Sequence, residues 1–211
     1  MKEVKTKTTR IGSLKFPNES KITGRSSTLR AAFIKAIIPT IGPNHPDFNM
    51  SDYDEGLRLL KHTNGGVKCS YCGERDASDL DHFRAIVKSK FASRYITDVY
   101  NLVPACGLCN QSKGGKDWRL WIEGKAAKNP KNRGIENLDE IIKNLDAFEN
   151  WSNSKVNTLT QEFLDSKEFS EYMQSCENLI ASFYEFQRNA EILKAKALTN
   201  LSNANEKDFR S

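Results

Sequence analysis

The chain has 211 residues, of which 38% are hydrophobic and 28% are charged, and its formal net charge is +5 at pH 7. This length is enough for one well-filled core and does not demand two independent domains. The sequence has no apolar run of membrane-spanning length and no secretory signal near Met1, so we expect a soluble, cytoplasmic protein without membrane contact.

The N-terminal residues 1–27 form a basic segment. Residues 1–35 carry nine Lys or Arg and two Asp or Glu, a net charge of +7, whereas residues 126–211 carry a net charge of −3. The basic side chains stand among Thr, Ser and Gly with little apolar periodicity, so we predict an extended or loosely ordered arm. Such an arm could follow a phosphate backbone or be an ordinary solvated terminus, and the composition leaves both open.

Residues 28–66 are predicted to be helical. In the first helix the apolar residues share one face: Leu29, Phe33, Ile34, Ile37 and Ile38. Pro39 ends this helix, because proline cannot continue the backbone hydrogen bonding. After a loop that contains Pro and Gly, a second helix is predicted from Ser51 to Leu60, followed by the turn Asn64-Gly65-Gly66.

Four of the five cysteines form two Cys-x-x-Cys pairs: Cys69 with Cys72, and Cys106 with Cys109. Each pair can direct two thiolates at one point, and two pairs complete the tetrahedron of a closed structural Zn²⁺ site. In an intracellular protein, paired cysteines favour metal over a disulfide framework. Buried free thiols or two disulfides are the alternatives, although neither requires this spacing. The fifth cysteine, Cys176, is predicted to pack within a helix.

Four polar residues lie between and beside the cysteine pairs. Asp81 and His82 follow Leu80, Asn101 opens the extended segment before the second pair, and Asn110 follows Cys109 directly. Each has a plain structural explanation by itself: a solvated carboxylate, a strand histidine, or an asparagine in a turn or cap. Their combination around a metal site is what indicates a function.

The pattern Asp81-His82, then Asn101, then Cys109-Asn110-x-x-Lys113-Gly114 resembles the HNH nuclease motif on a ββα-metal finger. The resemblance covers less than a quarter of the chain. It implies that His82 is the general base, that Asp81 and Asn110 bind a catalytic divalent cation, and that Asn101 orients the histidine loop. The segment from Phe83 to Tyr100 departs from the family pattern, since it is longer and basic and lacks the usual Pro and Gly pair.

The chemistry of these side chains supports the same roles. Water that attacks a phosphodiester needs a nearby base, and a neutral imidazole with a pKa of about 6.5 is suited to accept its proton. The carboxylate of Asp81 and the amide oxygen of Asn110 are hard donors of the kind that hold Mg²⁺ or Mn²⁺ together with water.

Basic residues in and around the motif are candidates for contact with nucleic-acid phosphates. They are Arg84, Lys88, Lys90, Arg94, Lys113 and Lys116. The alternative is a solvated loop and helix end, but their interleaving with the motif favours phosphate contact.

Residues 126–211 are predicted to be helical. One helix face carries Leu138, Ile141, Ile142, Leu145 and Phe148. A final helix from about Lys167 to Leu198 has apolar residues spaced alternately by four and three, as in a coiled-coil seam, and residues 199–211 are predicted to be a frayed tail. The seam could pack on the preceding helix, on a second copy in a homodimer, or on a partner subunit.

The sequence thus predicts an α+β, mostly α-helical fold with a zinc-bound ββα-metal (HNH) finger at residues 67–125. We expect a metal-dependent endonuclease with structural Zn²⁺ and catalytic Mg²⁺ or Mn²⁺. Double-stranded DNA as substrate and a role in restriction or anti-phage defence are expected from the family resemblance. The alternatives are a nuclease subunit that works with a partner ATPase, an RNA-directed nuclease, and a zinc-dependent nucleic-acid-binding module without catalysis.

Overall fold

The structure, a computed structural model, describes residues 26–62 and 66–208. About half of these residues are helical, and they also form two small two-stranded sheets. The described part divides into two compact units: residues 27–177 form one, and the last helix from Asn178 onward belongs to the other. None of the described helices combines the length and apolar character needed to span a membrane. Apart from the first two residues of helix α1, the predicted basic arm lies outside the described residues.

Side-chain caps explain where several helices begin. The described helices are α1 (Ser26–Ala36), α2 (Met50–Leu59), α3 (Gly107–Lys113), α4 (Trp118–Glu123), α5 (Leu138–Asn153), α6 (Gln161–Leu164) and α7 (Lys167–Asp208). The side chains of Asn49, Asp117 and Thr160 each accept a hydrogen bond from a backbone N–H of the first turn of α2, α4 and α6. Each bond satisfies one of the N–H groups that a helix start leaves without an intrahelical partner.

An antiparallel strand pair followed by a short helix forms the centre of residues 67–125, which are called the finger below. The four described strands are β1 (Asp79–His82), β2 (Val87–Lys88), β3 (Phe91–Ala92) and β4 (Leu102–Ala105). Strand β1 pairs with β4, so that Asp81 lies opposite Val103 and His82 opposite Leu102. Helix α3 begins two residues after β4.

A second, shorter hairpin occupies the basic segment between β1 and β4. Strands β2 and β3 are joined by Ser89 and Lys90, which have φ angles of 51° and 72°. Two central residues with positive φ are the geometry of the tight turns that suit the twist of a hairpin.

Aromatic side chains dominate the core of the finger. Tyr71 contacts Trp121 edge-on, and Phe83 stacks on Trp118 and meets Phe148 of α5. Helix α5 therefore shares one core with the finger, and residues of 126–153 pack together with those of 67–125. Helix α2 also packs on α5, at Gly56, where a Cβ atom would lie 3.3 Å from the Phe148 ring.

A smaller aliphatic core joins α1 to the segment that follows His82. Its buried members are Ile34, Ile38, Ile86, Ile96 and Leu159. Backbone hydrogen bonds link the same two parts of the chain: Thr97 N donates to Pro39 O at 3.0 Å, and Ile41 N donates to Thr97 O at 2.8 Å. Helix α1 is thus fixed next to the segment that follows His82.

Three predicted elements differ in the structure. The sequence after the second cysteine pair predicts a helix that begins near Asn110, whereas α3 begins at Gly107. The sequence predicts a short strand at Val67-Lys68, but in the structure Lys68 forms only an isolated bridge to Asp76. The prediction of a frayed tail is wrong for residues 199–208, because α7 continues to Asp208. Neither Gly nor Pro occurs after residue 165 to end that helix.

Candidate functional site

Four cysteine sulfurs form a buried cluster in the finger. Cys69, Cys72, Cys106 and Cys109 are all buried, their Sγ atoms lie within 4.8 Å of one another, and none of them is in a disulfide. Zn–S bonds of about 2.3 Å would separate tetrahedral sulfurs by about 3.8 Å. Little movement is needed to close the cluster around an ion, and it could hold a structural metal such as zinc.

The surroundings of the cluster suit a negatively charged metal–thiolate centre. Arg133 Nη2 donates to Cys109 Sγ at 3.4 Å, and Arg133 Nε is buried without a hydrogen-bond partner among the described residues. A guanidinium in this position offsets the surplus negative charge of four thiolates around one dication.

The thiols are close enough to hydrogen-bond one another. Hydrogen bonds from Cys109 and Cys69 lower the pKa of Cys72, whereas the hydrogen bonds of Cys109 to Cys69 and Cys72 raise the pKa of Cys109. A metal ion would displace these protons, since only thiolates ligate it.

Asp81 is almost completely buried in β1, with 6% of its surface exposed. Its Oδ2 accepts a hydrogen bond of 2.7 Å from Tyr71 Oη and forms an ion pair of 2.9 Å with Lys113 Nζ. Lys113 has no exposed side-chain surface and also donates to His82 O at 2.8 Å. Since both contacts go to Oδ2, Oδ1 is the oxygen that remains for a cation.

His82 is half-buried at the end of β1. Its Nε2 lies 2.8 Å from Thr97 Oγ1, so Nδ1 is the ring nitrogen without a hydrogen bond among the described residues. Burial lowers the pKa of His82 to about 4; Asp81 opposes this shift, and Lys35 and Lys113 add to it. The imidazole is therefore neutral near pH 7, which is the state that can accept a proton.

Asn101 is fully buried and ties together both ends of the segment after His82. Its Oδ1 accepts from Arg84 N at 2.8 Å, and its Nδ2 donates to Arg84 O and Ile96 O, both at 3.0 Å. Its carbonyl oxygen accepts from Phe83 N at 2.8 Å. These bonds fix the backbone that immediately follows the histidine.

Asp81, His82 and Asn110 line one cleft of about 370 Å³. Gly114 and Gly115, at the end of α3, line it as well. Gly114 has a φ of 52°, and a Cβ atom on Gly115 would lie 3.0 Å from Val87 O. A side chain on Gly115 would therefore press on the Val87 carbonyl, and the positive φ of Gly114 favours glycine. Asn101 is not part of the lining.

The six predicted phosphate-binding residues fall into two groups. Four of them are exposed: Lys88, Lys90, Arg94 and Lys116. The other two differ from the prediction, because their charges are used inside the fold. Lys113 is the buried partner of Asp81. Arg84 is half-buried and donates to Tyr100 O, Ser152 Oγ, Glu149 O and Asn153 Oδ1, so it binds the last turns of α5.

Two of the exposed cations lie beside the cleft. Lys88 and Lys116 line a neighbouring cleft of about 240 Å³, which shares Ala85 and Gly115 with the first. Positive charge therefore lies next to the surface that Asp81, His82 and Asn110 form.

The sequence patterns did not identify several residues that contact this site. Tyr71 stands inside the first Cys-x-x-Cys pair, and that position was a signal for contact with the finger. Lys35 and Arg133 come from segments outside residues 67–125, and no local pattern marks either of them or Thr97.

Comparison of the chain with protein families, with curated proteins and with solved structures gives no match.

Proposed function

We propose that this protein is a divalent-metal-dependent endonuclease of the HNH type that hydrolyses phosphodiester bonds of DNA. One observation carries the proposal: Asp81, His82 and Asn110 line a single cleft. They come from β1 and α3 of a finger whose cysteine cluster could hold a structural metal. This is the residue set that the sequence resemblance associates with HNH nucleases.

In the proposed reaction His82 is the general base. When Nε2 carries the ring proton and donates it to Thr97 Oγ1, Nδ1 can accept a proton from the water that attacks the phosphorus. Asn101 supports this step indirectly, because it holds the backbone on the C-terminal side of the histidine.

Asp81 Oδ1 and the side-chain oxygen of Asn110 are the proposed ligands of a catalytic Mg²⁺ or Mn²⁺. Such an ion would supply positive charge to the phosphate and to the departing oxygen. Two protein oxygens leave most of the coordination sphere to water and substrate, as is usual for Mg²⁺. The Lys113 ammonium lies 2.9 Å from Asp81 and competes for its charge, so we expect weak cation binding in the absence of DNA.

The cysteine cluster is proposed to hold zinc in a purely structural role. Four sulfurs complete a tetrahedral coordination sphere and leave no open position for water or substrate. The zinc would fix the turn at residues 69–72 and the start of α3, and so support β1, which carries Asp81 and His82, and α3, which carries Asn110.

A second candidate function is a zinc-dependent nucleic-acid-binding module without catalysis. The buried ion pair between Asp81 and Lys113 favours it, since a carboxylate that is already paired does not need a metal. An RNA-directed nuclease and a nuclease subunit that depends on a partner ATPase would use the same site, and a restriction or anti-phage role belongs to the same proposal.

The deciding experiment is cleavage of a supercoiled plasmid across Mg²⁺ and Mn²⁺ titrations, with structured and single-stranded RNA as parallel substrates. We expect metal-dependent nicking or linearisation that EDTA abolishes. His82→Ala should lower the rate by roughly two to four orders of magnitude, the usual contribution of a positioned base. Asp81→Ala should be partly rescued by added Mn²⁺, whereas His82→Ala should not.

Each variant needs its zinc content measured, so that loss of activity is not confused with loss of the finger. Full activity of His82→Ala would refute the general-base assignment. DNA binding without cleavage under every metal condition would instead support the non-catalytic module. Preferential cleavage of RNA would change the substrate and leave the assigned roles intact.

A further inference from the structure

A lysine from outside the finger lines the candidate catalytic cleft. Lys35 lies in the last turn of α1, more than 30 residues before the first cysteine. Together with Ala31 of the same helix, it lines the cleft of about 370 Å³ that contains Asp81, His82 and Asn110. The cleft is therefore formed by the finger and by α1, and the finger alone does not complete it.

Helix α1 is held firmly in this position. Ile34, next to Lys35, is completely buried, and Ile38 is 6% exposed. Both pack in one cluster with Ile86 and Ile96, which lie on either side of the β2–β3 hairpin. Full burial of one such side chain contributes about 1.5–3 kcal/mol. This face of α1 therefore stays packed on the segment that follows His82.

The same segment reaches His82 through Thr97. Residues 39–41 pair with Thr97 by two backbone hydrogen bonds, and Thr97 Oγ1 contacts the imidazole of His82. The connection fixes where the end of α1 lies relative to the imidazole. Lys35 is thus placed by backbone and core contacts, although its own side chain is exposed.

The charge of Lys35 is available to a ligand. Within the described residues Lys35 forms no ion pair, whereas Lys113 is fully used by Asp81 and His82 O. Lys35 and His82 line the same cleft. An exposed ammonium in a cleft whose carboxylate is already paired is suited to bind an anion.

We propose that Lys35 is a phosphate-binding residue of this cleft and contacts a non-bridging oxygen of the phosphodiester next to His82. The inference rests on the proposed nuclease function and extends it, since α1 and the finger would both contribute residues to the substrate site. Lys88 and Lys116 line the adjoining cleft. The substrate backbone would then pass between Lys35 and this second pair of cations.

The size of the effect follows from the exposure of the side chain. Removal of a buried donor from an oxyanion site lowers kcat by about 100- to 1,000-fold. Lys35 is exposed, and solvent screens its charge. We therefore expect Lys35→Met to lower kcat/KM by about 10- to 100-fold, and Lys35→Arg to restore most of the loss because it keeps the positive charge.

The test compares Lys35→Met and Lys35→Arg with Lys128→Met. Lys128 is an exposed lysine between α4 and α5 that does not line the cleft, so its substitution removes the same charge elsewhere. Plasmid cleavage gives kcat/KM, and fluorescence anisotropy gives the affinity for a short labelled duplex with Ca²⁺ in place of Mg²⁺. Zinc content and thermal unfolding should be unchanged in all three variants.

A selective loss in Lys35→Met, with recovery in Lys35→Arg, supports the proposal. Equal activity of Lys35→Met and Lys128→Met overturns it and leaves the nuclease function standing. If the wild-type protein cleaves no nucleic acid, the proposed function fails, and the affinity for the duplex then tests whether Lys35 binds phosphate. In that case, weaker duplex binding by Lys35→Met than by Lys128→Met supports the contact between Lys35 and phosphate, and equal binding contradicts it.

Discussion

Tyr71 donates a hydrogen bond of 2.7 Å to Asp81, and this bond joins the cysteine cluster to the candidate catalytic cleft. Tyr71 stands between Cys69 and Cys72 in the chain, so the turn that supplies two sulfurs also holds the carboxylate. Burial, followed by the charge of Asp81, raises the pKa of Tyr71 well above its ordinary value, and the phenol remains a donor. Changes at the metal site should therefore be transmitted to Asp81.

Tyr71→Phe should lower stability and cleavage activity without releasing metal from the cysteine cluster. A buried hydrogen bond to a charged group is worth about 1.5–3 kcal/mol, and its loss should lower the free energy of unfolding by a similar amount. We also expect cleavage to fall by about tenfold, because Asp81 loses one of its two partners on Oδ2. Thermal denaturation, plasmid cleavage and zinc content measure the three effects.

Tyr172→Phe is the matched control for Tyr71→Phe. It also removes a phenol hydroxyl, one that donates to Phe33 O and lies outside the cleft. If both variants lose cleavage activity to the same extent, the bond between Tyr71 and Asp81 has no specific role.

Cys106→Ser should release the metal and unfold the finger, whereas Cys176→Ser should not. Cys106 belongs to the buried four-sulfur cluster, and Cys176 is a buried cysteine of α7 outside it. Because thiolate ligation is coupled to folding, Cys106→Ser should lose bound zinc and show a lower melting temperature. Elemental analysis and thermal denaturation test this. One zinc per chain in Cys106→Ser would contradict the ligand assignment.

The sequence predicted the cysteine cluster, which depends on local spacing. Two Cys-x-x-Cys turns, Asp81-His82 and Asn110 could be found because each lies in a short pattern with a chemical meaning, and the structure brings the four sulfurs together. The major helices were also predicted, because apolar periodicity is a local signal. How Asn101 bonds Arg84 and Ile96 could not be derived from such patterns.

Interactions that join distant segments were not predictable in the same way. Lys113 was expected to contact phosphate, because the sequence shows its charge. The sequence does not show that Lys113 is buried beside Asp81. The sequence likewise contains no sign that the Arg84 side chain binds residues of α5 that lie more than 60 positions away. Composition gives the number of charges, but only packing decides which of them reach solvent.

Arg84→Met should therefore reduce stability and leave the electrostatic part of DNA binding unchanged. The guanidinium donates to carbonyl and side-chain oxygens at the end of α5. Loss of a half-buried charged donor should cost about 1–3 kcal/mol of unfolding free energy. Lys88→Met, at an exposed position beside the cleft, should instead keep its stability and flatten the salt dependence of duplex binding.

The two variants are measured together by chemical denaturation and by binding at several salt concentrations. A flatter salt dependence in Arg84→Met, with unchanged stability, would return this residue to the phosphate-binding group.

The pH dependence of cleavage should reflect the unusual acidity of the His82 imidazolium. Burial lowers the pKa of His82 to about 4 from an ordinary value of 6.5, and a cation in the same cleft would lower it further. Since a general base must be unprotonated, kcat/KM should stay constant as the pH falls through 6.5 and decline only towards about 4. An unshifted imidazole would already lose activity below pH 6.5.

The same shift affects stability with a definite sign. The unfolded chain binds the proton more tightly than the folded chain does, so the stabilisation is fully present above about pH 6.5 and is lost as the pH falls towards 4. His82→Gln cannot take up this proton, and its unfolding free energy should depend less on pH in that range. Cleavage rates and chemical denaturation at each pH, with zinc content as the control for acid loss of metal, test both statements. A half-maximal rate near pH 6.5 with zinc retained would show that His82 titrates as an exposed histidine and that burial does not keep it neutral.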